Sequence, residues 1–342
     1  ALLWMGTWPS PAGPSGHRIQ EGRVLKSRAQ SIRNPRKETP EAPLFRSALR
    51  RTFEYAVVES GLTARRRRKD RDRIAVLSYH NVVPSEGLPE GDLSLHLPLD
   101  KFRTQLDFLR DHFELIALEE IREGEPAQKP LAAVTFDDAY RGCLELALPE
   151  LAERQIPATI FVCPGLLEEP GFWWDRLAGT DGAVSEHVRD DALSRLKGQQ
   201  REVLSAHPSE PIRNPWLLPG SREDLARAIE QPGVTLASHT WSHPNLAALD
   251  EPALERELLE CREWLTKEFP DHTLPDHLAF PYGLYDSRVR EVAFGLGYRR
   301  LYRVEGGRAK AEQPPSAVLP RLNVPRGASL RGFDRRVSGF LS

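Results

Sequence analysis

The chain has 342 residues, is 40% hydrophobic and carries a formal net charge of -2. That composition excludes a wholly disordered polypeptide and leaves length for one large α/β domain or for two or three smaller ones. The near-neutral total hides an asymmetry, because residues 1–73 hold 17 Lys and Arg against 7 Asp and Glu while the remainder holds 30 against 42. A basic leader on an acidic body points to an arm that meets an anionic surface rather than to a basic catalytic domain.

In chain order, residues 1–43 are rich in Pro, Gly, Ser and Arg without apolar period and read as a disordered leader. Its opening "ALLWMGTWPSPAGPSG" lacks a positive n-region and a long apolar core, so it is not read as a signal peptide. Met5 is the only methionine and the chain does not begin with it, which leaves the native start open. Residues 44–70 read as a basic amphipathic helix and linker. Phe45, Leu49, Phe53 and Ala56/Val57 share one helical face, and "RRRRK" follows at 65–69. Such a segment either lies on an anionic membrane or docks on the body with its charges solvated.

From about residue 71 short apolar runs alternate with amphipathic helices. The predicted strands are 73–79, 113–118, 131–136, 157–163, 234–237, 277–280, a run from 297 and 316–320. Helices are predicted near 100–111, 141–154, 251–268 and 286–296, the third marked by Asp250 as cap, Pro252 in the first turn and a Leu254/Leu258/Leu265 stripe. This alternation predicts a parallel sheet with helices outside, open or closed into a barrel. Residues 165–230 read as an elaboration of one strand–helix loop. Cys143, Cys163 and Cys261 are odd in number and far apart, and read as reduced core residues. No run approaches the roughly 18 apolar residues of a membrane span.

In folds of this class reactive groups gather at the C-terminal ends of strands. Four such ends carry polar side chains here: His80 and Asn81, Asp137 and Asp138, His239 and His243, and the turn Pro281-Tyr282-Gly283. Two histidines four apart share a side if they lie on one turn of helix, and with a carboxylate they make a ligand set used by catalytic zinc. Alone, H-x-x-x-H reads more readily as two surface histidines in a polar loop; the adjacent Asp pair at another strand end tips the balance to metal. Neighbouring side chains of an extended segment point opposite ways, so one Asp can hold the metal while the other faces substrate as a base. A cation would also make two adjacent carboxylates tolerable.

"TFDDAY", "SHTWSH" and "FPYG", in that order, resemble the motifs of the polysaccharide deacetylases with a NodB homology domain (carbohydrate esterase family 4), and "LSYHNVVP" and "PATIFVCPG" add to the likeness over roughly residues 70–330. The resemblance implies a distorted (β/α) barrel of the NodB type over 71–342, behind the disordered basic leader and helix, and hydrolysis of N-acetyl groups on amino sugars of a polysaccharide or glycan precursor. By motif position Asp138, His239 and His243 would bind one divalent metal, most often Zn2+. Asp137 would be the base for attack by water held at that metal, and Pro281 and Tyr282 would meet the substrate, with the Tyr282 N–H on the oxyanion. The family's C-terminal histidine is missing, since the last histidine is His277. A motif-permuted branch takes it from the first strand, and His80 fits that role against the plainer reading of a structural strand-end histidine. Ala279 stands where the usual Arg precedes "PY", and Arg321 is the substitute that could orient Asp137. Trp241 and Trp173-Trp174 read equally as walls for sugar rings or as packing, while His272 and His277 read as structural.

The expected partner is an N-acetylated glycan, with peripheral contact of the basic segment with an anionic membrane and no nucleic acid, for which no reading motif is present. Two other functions stay open: a C–N hydrolase acting on a non-sugar amide, and a catalytically dead carbohydrate-binding protein. Reduced-looking cysteines favour the cytoplasm or the inner face of the membrane, while the substrate class leaves the envelope open.

Overall fold

The computed structural model describes residues 54–340 save for 88–89, 122–128, 305 and 311–316. The predicted leader at 1–43, and Phe45, Leu49 and Phe53 of the amphipathic helix, lie outside the described residues. Seven strands carry the architecture: β1 (Arg73–Tyr79), β2 (Leu131–Asp137), β3 (Ala158–Val162), β4 (Val234–Ser238), β5 (Thr273–Ala279), β6 (Arg300–Val304) and β7 (Val318–Asn323). Each pairs in parallel with the next, and β7 pairs with β1, so the sheet closes into a barrel in sequence order. The closure is uneven: β1 and β2 share six residue pairs, β7 and β1 only two.

Parallel barrel strands are covered on both faces, which is why β1 and β2 read as nearly unbroken apolar runs. The period of two sorts them. Ile74, Val76, Ala133, Phe161, Ala237, Ala279, Tyr302 and Leu319 fill the interior. Ala75, Leu77, Tyr79, Ala132, Val134 and Phe136 face outward into a layer that includes Phe102, Leu106 and Leu109 of the helix Leu99–His112. Other outer helices are Leu148–Glu153, which follows a single wide turn at Cys143–Ala147, Glu251–Glu268, Ser287–Gly295 and Leu330–Val337. The Asp250 carboxylate caps the Glu251–Glu268 helix, accepting from Ala253 N–H at 2.9 Å. All three cysteines are free and buried.

Between β3 and β4 the chain makes four short helices, Trp173–Arg176, Glu186–Ser194, Gln200–Ala206 and Arg222–Ile229. The predicted strand at 113–118 is only the pair Glu114–Leu115 beside β2, and the strands Asn81–Val83, His96–Pro98 and Ala309–Lys310 had no sequence signal. Each of these is two or three residues long, too short for a period to show.

His277 is not at a strand start, because β5 begins four residues earlier. It is 5% exposed, shares the inward parity of Ala279, and its Nδ1 lies 3.1 Å from the Tyr302 hydroxyl. Burial pushes its imidazole down to about 4 against the pull of Asp276. A depressed folded-state value means stability that is full above the unfolded value of 6.5 and is lost as pH falls toward 4. We expect this one group to remove on the order of 2–3 kcal/mol across that window. Urea midpoints at descending pH should therefore fall less steeply for His277→Gln than for the unaltered chain; identical slopes would remove His277 as the cause.

Candidate metal centre and active site

Side-chain parity builds the site. On β1, β2 and β7 the inward series ends in Ser78 and then His80, in Thr135 and Asp137, and in Leu319 and Arg321; on β4 it continues from Ala237 to His239. Four polar residues thus reach the C-terminal mouth of the barrel simply by continuing the apolar interior pattern.

Arg321 lies within β7 rather than past it, and is fully buried. Its guanidinium donates from both Nη atoms to the Asp137 carboxylate, at 2.6 and 2.8 Å. It also meets the Thr135 hydroxyl at 3.2 Å and sits 5.0 Å from the Phe161 ring centre. The Ser78 hydroxyl donates to Asp137 Oδ2 at 3.1 Å. Burial alone would raise the Asp137 carboxyl, but Arg321, His239 and His80 hold it well below the usual carboxylate range. His80 is part-exposed, with Nε2 3.9 Å from Asp137 Oδ2. Burial lowers its imidazole to about 4, more than Asp137 raises it.

Asp138 leaves the strand pattern through left-handed backbone, with φ 70°. Its Oδ1 lies 3.4 Å from His243 Nε2 and 3.7 Å from His239 Nε2, and the two Nε2 atoms are 3.2 Å apart. The 239–243 segment is not helical, contrary to the one-turn expectation. Thr240 and His243 both have positive φ, 71° and 58°, and this tight loop brings the imidazoles together instead. Glu257 holds the loop, accepting from the Ser242 N–H at 2.8 Å and the Ser242 hydroxyl at 2.6 Å.

The donor set fits a divalent cation. Ligands 2.0–2.1 Å from a tetrahedral centre lie about 3.3 Å from one another, close to the three separations above. Asp138 Oδ1 is buried with no hydrogen-bond partner, and burial followed by Asp137 raises its carboxyl well above the ordinary value. His239 Nδ1–H donates to the Ala279 carbonyl at 2.8 Å, which leaves the Nε2 lone pair facing Asp138 and His243. Burial lowers both imidazoles, and His239 lowers His243 further, so both are in the neutral form that ligates metal. Among the described residues this is the one group of three such side chains close enough to share an ion.

The remaining expected residues form the rim. Pro281 is buried, and Tyr282, at φ 56°, packs its ring 4.4 Å from His243. Trp173 Nε1–H donates to the Tyr282 hydroxyl at 3.0 Å, and the Trp174 ring is 4.9 Å from His243. Both tryptophans are buried, so they wall the ligand cluster as packing. Trp241 is half-buried and tied by its backbone to Gly165 and Glu257, with its indole against Gly165, where an added Cβ would meet Nε1 at 2.6 Å.

Sequence reading missed a buried network behind this wall. Asp175 accepts from Asp92 N–H and His96 Nε2–H at 2.9 Å each and from the Tyr140 hydroxyl at 2.7 Å; that hydroxyl accepts from Trp174 Nε1–H at 2.7 Å. Asn81 Nδ2–H donates to His96 Nδ1 at 3.1 Å. The only signal was position: Tyr140 and Asn81 each follow a site residue closely, and Asp175 follows the Trp pair.

A closed parallel barrel carries at its C-terminal mouth an Asp-Asp pair and two histidines, three of which could share a divalent ion. The profile of the polysaccharide deacetylases matches residues 124–301, more than half of the chain, and the chain belongs to that family. The match includes Asp137, Asp138, His239, His243 and Tyr282, while His80 and Arg321 lie outside it. The poly-β-1,6-N-acetyl-D-glucosamine N-deacetylase of Escherichia coli (strain K12) is 24% identical over 268 residues, covering 76% of this chain but 38% of that protein. The chitooligosaccharide deacetylase of Rhizobium leguminosarum bv. trifolii is 26% identical over 170 residues, 49% of this chain and 54% of that protein. The chain therefore spans well under two thirds of either relative. In fold it is similar to the Streptococcus pyogenes deacetylase PplD, at TM-score 0.54 and 18% identity over 78% of this chain and 98% of that one.

Two outcomes are expected. After chelation and zinc titration, the protein should retain one ion per chain, and His243→Ala should lose it; equal retention in the variant would place the ion elsewhere. Arg321→Met, which strands a buried carboxylate, should destabilise the fold by about 3–5 kcal/mol, read from urea midpoints.

Proposed function

We propose that the protein is a metal-dependent deacetylase that removes N-acetyl groups from amino sugars of a glycan. The observation that carries this is the split of one carboxylate pair. Asp137 is neutralised by Arg321, while Asp138 has an oxygen with no partner but two neutral imidazoles beside it. The acetylated-sugar substrates named for the two relatives supply the substrate class.

A divalent cation held by Asp138, His239 and His243 would acidify a water and polarise the amide carbonyl. Asp137 takes the proton of the attacking water, and Arg321 and Ser78 fix which of its lone pairs faces the mouth. The Tyr282 N–H, in the turn after β5, donates to the developing oxyanion. The leaving amine needs a proton. His80 begins neutral, so the proton it delivers must be acquired during the reaction, and Asp137 Oδ2, 3.9 Å away at rest, would hand it on after closing to hydrogen-bond distance.

Acetate release from β-1,6- and β-1,4-linked N-acetylglucosamine oligomers tests the reading. Asp137→Asn should keep the metal and lose turnover by about 100-fold or more. A metal-loaded, folded chain that releases no acetate from either oligomer would overturn the substrate class, and normal turnover by the Asn variant would overturn the base. His80→Ala should lower kcat by about 100-fold with unchanged metal content; an unchanged rate would return His80 to a structural role.

A further inference from the structure

The described surface has three exposed large apolar side chains, Tyr55, Leu62 and Leu330, at 55%, 42% and 43% exposure. Leu330 is distant in the chain from the other two, but all three lie on one layer. The helical residues 54–59 and the helix Leu62–Lys69 pack on the helix Leu330–Val337. Thr63 and Arg67 both donate to the Asp334 carboxylate, the Ser329 hydroxyl donates to Glu54 at 2.8 Å, and the Arg331 guanidinium lies 5.0 Å from the Tyr55 ring centre while pairing with Glu59.

Burying Arg67 against Asp334 sets the face of the basic helix. With Arg67 turned inward, Arg65, Arg66, Arg68 and Lys69 are exposed or nearly so, and the exposed Arg71 lies two residues further on. Arg66 is paired with Asp70, whereas Arg65, Arg68, Lys69 and Arg71 have no ion-pair partner among the described residues. Unpaired cations side by side repel one another and contribute nothing to this fold. Residues 1–53, which precede Glu54 in the chain, carry 10 Lys and Arg against 3 Asp and Glu.

We propose that this layer is a docking surface for an anionic lipid bilayer. A row of cations is attracted to any polyanion, but the three exposed apolar side chains of the same layer find no complement on a phosphate backbone. In a bilayer interface the cations meet lipid phosphates while Tyr55, Leu62 and Leu330 enter the headgroup region. Lys69 lies four residues before β1, and β1 runs about 20 Å from Arg73 to the mouth at His80. The basic end of the layer is thus at the N-terminal edge of the barrel, opposite the mouth.

The test is co-sedimentation of the full chain with vesicles of phosphatidylcholine alone and with about a third phosphatidylglycerol. The unaltered protein should bind the anionic vesicles selectively and release with rising salt. The triple variant Arg65→Glu/Arg68→Glu/Lys69→Glu should bind them roughly 100-fold more weakly. Tyr55→Ala/Leu62→Ala/Leu330→Ala should bind at least about 10-fold more weakly and lose the salt-resistant fraction. Both variants should keep the thermal midpoint and the zinc content of the unaltered chain, since none of the six side chains is in the core. Absence of selective vesicle binding overturns the proposal. So does binding that survives both variants, which would assign it to residues 1–53, and so does patch-dependent binding to duplex DNA without binding to vesicles.

Discussion

Two carboxylates adjacent in the chain are buried at the mouth of an apolar barrel, and each must be balanced there. An uncompensated ion in such surroundings costs several kcal/mol. Asp137 is answered within the protein by a wholly buried guanidinium in two-point contact, steadied by Ser78, Thr135 and the face of Phe161. Asp138 receives no such answer at Oδ1, although it is equally buried. Chemically equivalent side chains are thereby made different. One is a resting carboxylate held by Arg321, and the other has an unpartnered oxygen beside two neutral imidazoles.

The separation depends on backbone conformations that side chains rarely adopt. Asp138, Ala139, Thr240, His243 and Tyr282 all have positive φ. Such residues cost of order 1–3 kcal/mol each and persist only where the surroundings over-determine them. The supports are visible. Gly220 N–H binds the Ala139 carbonyl at 2.9 Å, and Trp241 N–H binds the Glu257 carbonyl at 3.0 Å. His243 N–H meets the Thr240 hydroxyl at 3.1 Å. The Asp175 network anchors Tyr140 just beyond the Asp pair and Trp174 against His243. The insertion between β3 and β4 therefore supports the site, because its Trp174, Asp175 and Gly220 hold the His243 ring and the Ala139–Tyr140 turn, which the barrel strands alone would not orient.

This division decides what could be read from the sequence. The barrel strands were legible because β1 and β2 are apolar on both faces, and His80, Asp137 and His239 were legible as polar residues at the ends of apolar strands. The closure into a ring was not, since β7 and β1 meet over only two residue pairs and no local pattern records that meeting. The family resemblance, rather than any period, supplied the barrel. The histidine spacing suggested a helix, but Thr240 and His243 in left-handed backbone produce the same convergence by a loop, and spacing cannot distinguish the two. Arg321 could be named only as a substitute for the arginine absent at Ala279; its contact with Asp137 spans 184 residues. Asp175 had only its position after the Trp pair as a signal and His96 had none, because a buried network is defined by partners distant in sequence.

The order of the strands around the ring decides which distant residues meet at the mouth. Asp137 lies on β2 and Arg321 on β7, and β1 lies between those two strands in the closed barrel. Any inward-facing residue just past β1 is therefore beside the carboxylate that Arg321 holds, and His80 has that parity, two residues beyond Ser78. His239 follows β4, which is separated from β2 by β3, and Tyr282 follows β5. His80, Asp137 and Arg321 thus occupy the β7–β1–β2 sector, and His239 and His243 with the Tyr282 turn occupy the β4–β5 sector. Asp138 reaches from the first sector to the second through its left-handed turn. The proposed chemistry needs a cation on one side of the mouth and proton transfer on the other, and these two sectors would supply them. That requirement concerns neighbours in the ring rather than positions in the chain, so residues 184 apart, such as Asp137 and Arg321, can meet it.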